Sequence, residues 1–205
     1  MSLSGAAWGI YGFILSSQVR VLPLEESEVM FFNQDTAAQI KLEVSLANLA
    51  YGKYDDVALR QELIVEANGR RLRFIATGLK TVNQRPHGPD GNLLPLAPGC
   101  FSGGDIISVC NVADSPVTAL PAGGAETITP VFDLASRDCG LEHCGYLTPQ
   151  ALVDLIKGDV KLTYNVYTAR DHVRSATCNI HMDQRHADYY VAHGYTNPRC
   201  LGVAR

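Results

Sequence analysis

No cysteine precedes residue 100, no asparagine has serine or threonine two positions on, and the basic residues form no large cluster. The missing Asn-x-Ser/Thr pattern leaves no N-glycosylation acceptor to mark a compartment. Scattered Lys and Arg, with a formal net charge of −4, deny the chain the basic footprint that nucleic acid requires, so no nucleic-acid partner is expected. The densest basic spot, Arg70-Arg71-Leu72-Arg73, follows Glu62 and Glu66 and reads as the solvated face of a strand. Reaction signatures are missing too: there is no P-loop, no G-x-G-x-x-G, no H-E-x-x-H and no G-x-S-x-G. Around Ser102 the second glycine of a nucleophile elbow is present as Gly104, but Cys100 stands where the first belongs. These absences exclude the enzyme classes that carry such motifs, and no catalytic residue is nominated.

Long apolar runs are scarce as well. Ala6–Leu15 is an unbroken run of ten, against the roughly 20 residues that a bilayer-spanning helix needs. No basic residue precedes Arg20, so the positive start of a signal peptide is missing. Two readings of residues 1–16 stay open: a buried N-terminal segment, or the remnant of a membrane anchor that would tether the protein from upstream. Hydrophobic residues at 46% and charged residues at 19% rule out a disordered polar chain. A chain of 205 residues can bury a core without staples, and residues 17–205 are read as one domain.

Alternation is what the chain has in strength. In Gln39–Leu46, Ile40, Leu42, Val44 and Leu46 alternate with Gln39, Lys41, Glu43 and Ser45, the period of a strand with one face inward and one in water. Glu62–Ala67 and Arg70–Thr77 flank Asn68-Gly69, a pair that tolerates the positive φ angles of a hairpin turn. Further strands are predicted over Val19–Glu25, Glu28–Gln34, Ile106–Val112, Val117–Leu120, Glu126–Phe132, Asp159–Thr168 and His172–Met182. Thr148-Pro149 before Leu152, Leu155 and Ile156 starts a helix that Gly158 ends, and Asp183–His193 reads as a second short one. Residues 81–104, rich in Pro and Gly, read as a long ordered loop in which Asp90-Gly91-Asn92 makes a turn. Many short strands and one or two short helices predict a mainly β fold, an antiparallel immunoglobulin-like β-sandwich. That likeness is architectural, because Trp8, the sole Trp, precedes every Cys.

Six cysteines, Cys100, Cys110, Cys139, Cys144, Cys178 and Cys200, are an even set beside turn residues. Spacing alone leaves fifteen connectivities open; pairing by proximity joins Cys100 to Cys110, Cys139 to Cys144 and Cys178 to Cys200. Such bridges imply folding in an oxidising, extracytoplasmic place, the periplasm or cell surface. The competing readings are zinc and plain buried thiols. His143, His181, Asp183 and His186 are the candidate metal ligands, since zinc takes about four N, S or O donors and the C-terminal stretch holds His172, His181, His186 and His193 among several Asp residues. No other cofactor is expected. On a strand His172 and His181 face opposite sides, so capping and surface roles compete with a metal role.

The expected function is therefore an extracytoplasmic, non-enzymatic interaction domain with a protein partner, membrane-tethered upstream in one version. One alternative is a metal-dependent enzyme using the C-terminal His/Asp cluster. Another is a structural assembly subunit that contacts its neighbour through the 81–104 loop or an edge strand.

Overall fold

The computed structural model describes residues 19–25, 27–34, 37–50, 55–98, 100–102, 107–113, 115–134, 148–170 and 173–201. The N-terminal apolar run, Cys139, His143, Cys144 and His172 lie outside the described residues.

The Asn68-Gly69 turn forms as its residue types dictate, with φ of 52° and 72°. Both arms run far beyond the expected hairpin, as β5 (Asp56–Ala67) and β6 (Arg70–Gln84). Around them the described residues build β1 (Val19–Val21), β2 (Val29–Gln34), β3 (Ala37–Leu42), β4 (Val44–Asn48), β7 (Cys100–Ser102), β8 (Ile107–Ala113), β9 (Thr118–Leu120), β10 (Ala125–Ile128), β11 (Pro130–Leu134), β12 (Gly158–Thr168), β13 (Val173–Met182) and β14 (Tyr195–Thr196). The helices among the described residues are α1 (Pro149–Ile156) and α2 (Gln184–His193). Thr148 caps α1, its side chain accepting from the Ala151 amide, with Pro149 at the first position. Asp183 caps α2 and Gly194, at φ 75°, closes it.

The mainly antiparallel β-domain with short helices is what forms. Eleven strands belong to one curled, half-barrel sheet of order β13-β12-β5-β6-β11-β3-β2-β14, with β7, β8 and β9 attached beside that path. Three more, β1-β4-β10, make a small second sheet. An immunoglobulin sandwich divides roughly seven to nine strands between its two sheets; the described strands divide instead as eleven and three.

The connection between the sheets corrects the reading of Gln39–Leu46. That alternating stretch is two strands: β3 lies in the large sheet and β4 in the small one, with Glu43 between them. The expected strand Glu126–Phe132 is likewise cut at Thr129 into β10 and β11, which pair with β4 and β3 respectively. The two breaks coincide, so one antiparallel ribbon folds over and lays its far half across the core. Lys80 and Thr129 hold the crease, the Lys80 amide donating to the Thr129 carbonyl and the Thr129 hydroxyl to the Lys80 carbonyl at 2.9 Å.

Val19, Val44, Leu46 and Ile128 of the small sheet share one buried cluster with Ile40, Leu63, Phe74, Phe132, Leu162 and Tyr164 of the large one. Leu152 and Ile156 of α1 and Ala187 and Tyr190 of α2 join it. Phe132 meets Tyr164 edge-on with ring centroids 6.3 Å apart, a geometry that adds about 0.5–1.5 kcal/mol to the area buried. The expected solvent-facing set of β3 does not face solvent: Gln39 and Lys41 are both 6% exposed. A second apolar cluster of Met30, Phe32, Val109, Val131 and Tyr195 covers that side of the sheet.

The long loop is shorter than its composition suggests. β6 continues to Gln84 because Leu79–Gln84 pairs with β8, and β7 begins at Cys100. Within the loop, the Gly88 amide donates to the Asn92 carbonyl, and Gly91 sits at φ 77°. The Asp90 carboxylate accepts from the side chain and amide of Asn92, which together lower its pKa. Asp90-Gly91-Asn92 is the turn that its residues indicate.

Candidate functional site

Directly opposed residues of an antiparallel ladder share a face, so the register lays out the side of the large sheet away from the main core. One row reads Val173, Tyr167, Arg60; the next reads Ser175, Asn165, Glu62, Ile75. Two further rows read Thr177, Thr163, Ile64, Arg73 and Asn179, Lys161, Glu66, Arg71. The opposite set of β12, Val160, Leu162, Tyr164 and Val166, is buried in the core. Polar and charged side chains therefore predominate on this face of β5, β6, β12 and β13, although Glu62 and Ile64 in its middle are buried.

At the centre of this face lies Glu62, only 3% exposed. Its Oε2 accepts from the Tyr167 hydroxyl at 2.8 Å, while its Oε1 faces Arg60 Nε at 3.3 Å and Arg73 Nη1 at 3.7 Å. The Arg60 guanidinium also lies 3.9 Å from the centre of the Tyr167 ring, within cation–π range. A carboxylate shielded from water is costly unless it is compensated; Tyr167 supplies a hydrogen bond to Oε2 and the two guanidiniums supply opposite charge, while Oε1 itself accepts no hydrogen bond. A register shift between Tyr167 and Thr168, against Arg60 and Ala58, leaves Leu59 without an opposite residue. Leu59 and Arg60 are both exposed there, as a β-bulge allows.

The same face continues towards the Asn68-Gly69 turn. Glu66 is shared between Arg71 Nε at 3.7 Å and Lys161 Nζ at 3.2 Å. A cleft of about 650 Å³ opens there, lined among others by Glu66, Arg70, Arg71, Asp159 and Lys161. With Oε2 taken by the Tyr167 hydroxyl and Oε1 beside two guanidiniums, Glu62 is suited to holding its neighbours in place. The arrangement offers hydrogen bonds and paired charges to a surface laid against it.

Of the residues nominated as metal ligands, His181, Asp183 and His186 are described. His181 Nδ1 contacts Asp159 Oδ1 at 2.7 Å, and His186 Nδ1 contacts Asp183 Oδ1 at 2.8 Å. That Asp183 oxygen also accepts the His186 amide at 2.8 Å as the cap of α2. The amide bond first, and the nearby histidines after it, hold the Asp183 carboxyl below its usual range. Among the described residues no group of three His, Cys, Asp or Glu side chains could hold a metal ion; His143 lies outside them. The pairing of Cys100 with Cys110 and of Cys178 with Cys200 forms as expected, and Cys139 and Cys144 lie outside the described residues. Two formed disulfides point to an oxidising, extracytoplasmic environment. No helix among the described residues is long and apolar enough to cross a membrane.

Arg60, Tyr167 and the burial of Glu62 escaped the sequence reading. The polar alternates of Asp159–Thr168 were visible as the outward set of a strand. Their meeting with Arg60 and Glu62 depends on β12 pairing with β5 about a hundred residues earlier, which no local pattern encodes.

No family model matches the chain, and no curated protein matches it. Among solved structures it is similar to a DUF4466 family protein from Parabacteroides merdae, at 13% identity and a TM-score of 0.25. That match covers 76% of this chain and 44% of the other, so the chain spans less than half the length of that protein.

Proposed function

We propose that the protein is an extracytoplasmic, non-enzymatic interaction domain, acting in the periplasm or at the cell surface. In this reading it binds a protein partner with the polar face of β5, β6 and β12, and a membrane tether upstream of residue 17 holds it in place. The supporting observation is the Arg60–Glu62–Arg73–Tyr167 cluster, where Tyr167 and Arg60 are held in fixed positions on a sheet. Tyr and Arg are the residue types that dominate binding hot spots, and a pre-ordered pair loses little entropy on contact. The formed disulfides support the compartment.

The test compares the wild-type chain with an Arg60→Ala/Tyr167→Ala double variant and a Val191→Ala control as baits in an extracytoplasmic extract of the source cells. A specific protein retained by the wild type and control should fall at least about tenfold with the double variant, equivalent to 1.4 kcal/mol. Identical retention by all three baits sinks the reading. Stoichiometric zinc in protein purified without added metal would favour the metal-dependent enzyme instead.

A further inference from the structure

We infer that Cys100–Cys110 is a thiol–disulfide exchange site open to small dithiols, whereas Cys178–Cys200 is a closed structural bridge. The inference concerns residues remote from the proposed binding face, so either can fail without the other.

The two bridges sit in opposite surroundings. Cys178 and Cys200 are 0% and 3% exposed and belong to the main core cluster. Their bridge pins the C-terminal segment to β13, where Asn179 and Leu201 exchange two backbone hydrogen bonds of 3.3 and 2.7 Å. Cys100 and Cys110 are only half-buried, directly opposed across the three-residue ladder of β7 and β8. Among the described residues β7 pairs with β8 alone. Attack on a disulfide needs an accessible sulfur and a leaving thiolate that its surroundings can stabilise. Ser108 Oγ lies 3.5 Å from Cys110 Sγ, so its hydroxyl can donate to that sulfur as negative charge develops.

The thiolate of a dithiol bonds to Cys100 Sγ, the Sγ–Sγ bond breaks, and its electron pair leaves on Cys110 Sγ beside the Ser108 hydroxyl. The second thiol of the reagent, deprotonated to solvent, then attacks its own sulfur in the mixed disulfide and releases Cys100 as a thiolate. Two electrons pass to the protein, the dithiol becomes a cyclic disulfide, and the two thiolates take up protons from solvent. Opening leaves β7 held by its short ladder and by the Cys100 amide to the Ala97 carbonyl. Its departure would bare the outer edge of β8, and a bare edge is a template for strand addition.

The experiment treats the folded full chain with graded dithiothreitol, blocks free thiols with N-ethylmaleimide and locates the label by peptide mass spectrometry. Label on Cys100 and Cys110 is expected at roughly tenfold lower dithiothreitol than on Cys178 and Cys200, with unchanged far-UV circular dichroism. Amides of β8 should then exchange faster in the labelled species. Ser108→Ala should slow the opening about threefold without changing the order. The inference is overturned if Cys178–Cys200 opens first or together with Cys100–Cys110, or if Cys100 and Cys110 take label only as the dichroism is lost. Unaltered protection of β8 after labelling would remove the strand-release step, and an unaltered rate in Ser108→Ala would remove the assigned role of Ser108.

Discussion

The large sheet has two ends that treat their second face differently. At the β12–β13 end one face enters the core, while Ser175, Thr177 and Asn179 on the other stand exposed. At the β2–β3–β11 end both faces are covered. Tyr195 of β14 and Val109 of β8 join Met30, Phe32 and Val131 on the side away from the main core. The strands follow the same pleat at both ends; what differs is which distant segments arrive over the outer side. An outer position is therefore a surface position at one end and a core position at the other.

The largest expected effect tests that difference directly. Phe32 is 0% exposed in the second cluster, and Phe32→Ala should destabilise by about 3–5 kcal/mol, the usual cost of emptying an aromatic core site. Thr177→Ala, an outer position at the other end, should stay within about 0.5 kcal/mol of wild type. Urea denaturation measures both. A loss under about 1 kcal/mol for Phe32→Ala would show the second cluster to be a loose cover rather than a core.

The next effect lies on the polar face. Glu62→Ala strips the Tyr167 hydroxyl of its acceptor and two guanidiniums of their ion-pair partner and should cost about 1–3 kcal/mol, because Arg60 and Arg73 are exposed enough at 54% and 38% to find water instead. Glu62→Gln keeps an acceptor for the Tyr167 hydroxyl and should lose less. If the two variants were equally damaging, charge rather than hydrogen bonding would be the dominant contribution.

Alkaline unfolding separates the two ends by their tyrosines. Burial raises the Tyr164 and Tyr190 hydroxyls, and burial with the neighbouring Tyr189 hydroxyl pushes Tyr195 up to about 12. A folded state that keeps the phenol protonated is fully favoured below the unfolded value near 10, and loses that advantage as pH rises through the folded value. Stability should hold to about pH 10 and then fall, by at most about 1.4 kcal/mol per pH unit for each such tyrosine. Tyr195→Phe should shallow the fall near the second cluster. A slope unchanged in that variant would show Tyr195 to be as accessible as a free phenol.

How much of this was legible follows from the same contrast. Asp159–Thr168 forms one strand with Val160, Leu162, Tyr164 and Val166 inward, as its alternation indicates. There the pleat and a single core decide everything, and both are local properties. Gln39–Leu46 alternates just as cleanly, yet it is cut at Glu43 and buried on both sides at Gln39 and Lys41. Period two reports which side chains share a face; it carries no word on where a ribbon changes sheets or what covers the other side. The Asn68-Gly69 turn and the Thr148-Pro149 start of α1 were legible because a φ sign or an unpaired amide fixes them. The Glu62 cluster was not, because its members come together only through long-range strand pairing.

The smallest effect is the sharpest test of the two ends, because one substitution should change sign between them. Lys41 is 6% exposed and directly opposed by Met30 on β2 and Val131 on β11. Its ion-pair partner Glu28 stands 3.7 Å away with its side chain 39% exposed. Removing an ammonium from such surroundings relieves desolvation, and Glu28 keeps its water, so Lys41→Met should be neutral or stabilise by up to about 1 kcal/mol. Lys161, 54% exposed, pairs with Glu66 at 3.2 Å on the polar face. Lys161→Met gives up that contact and gains no burial, so it should cost about 0.2–0.5 kcal/mol. Paired melting curves at equal protein concentration read both signs. A lower melting temperature for Lys41→Met than for Lys161→Met would mean that the ammonium of Lys41 reaches water, and that the cover over β3 is open where Lys41 meets Glu28.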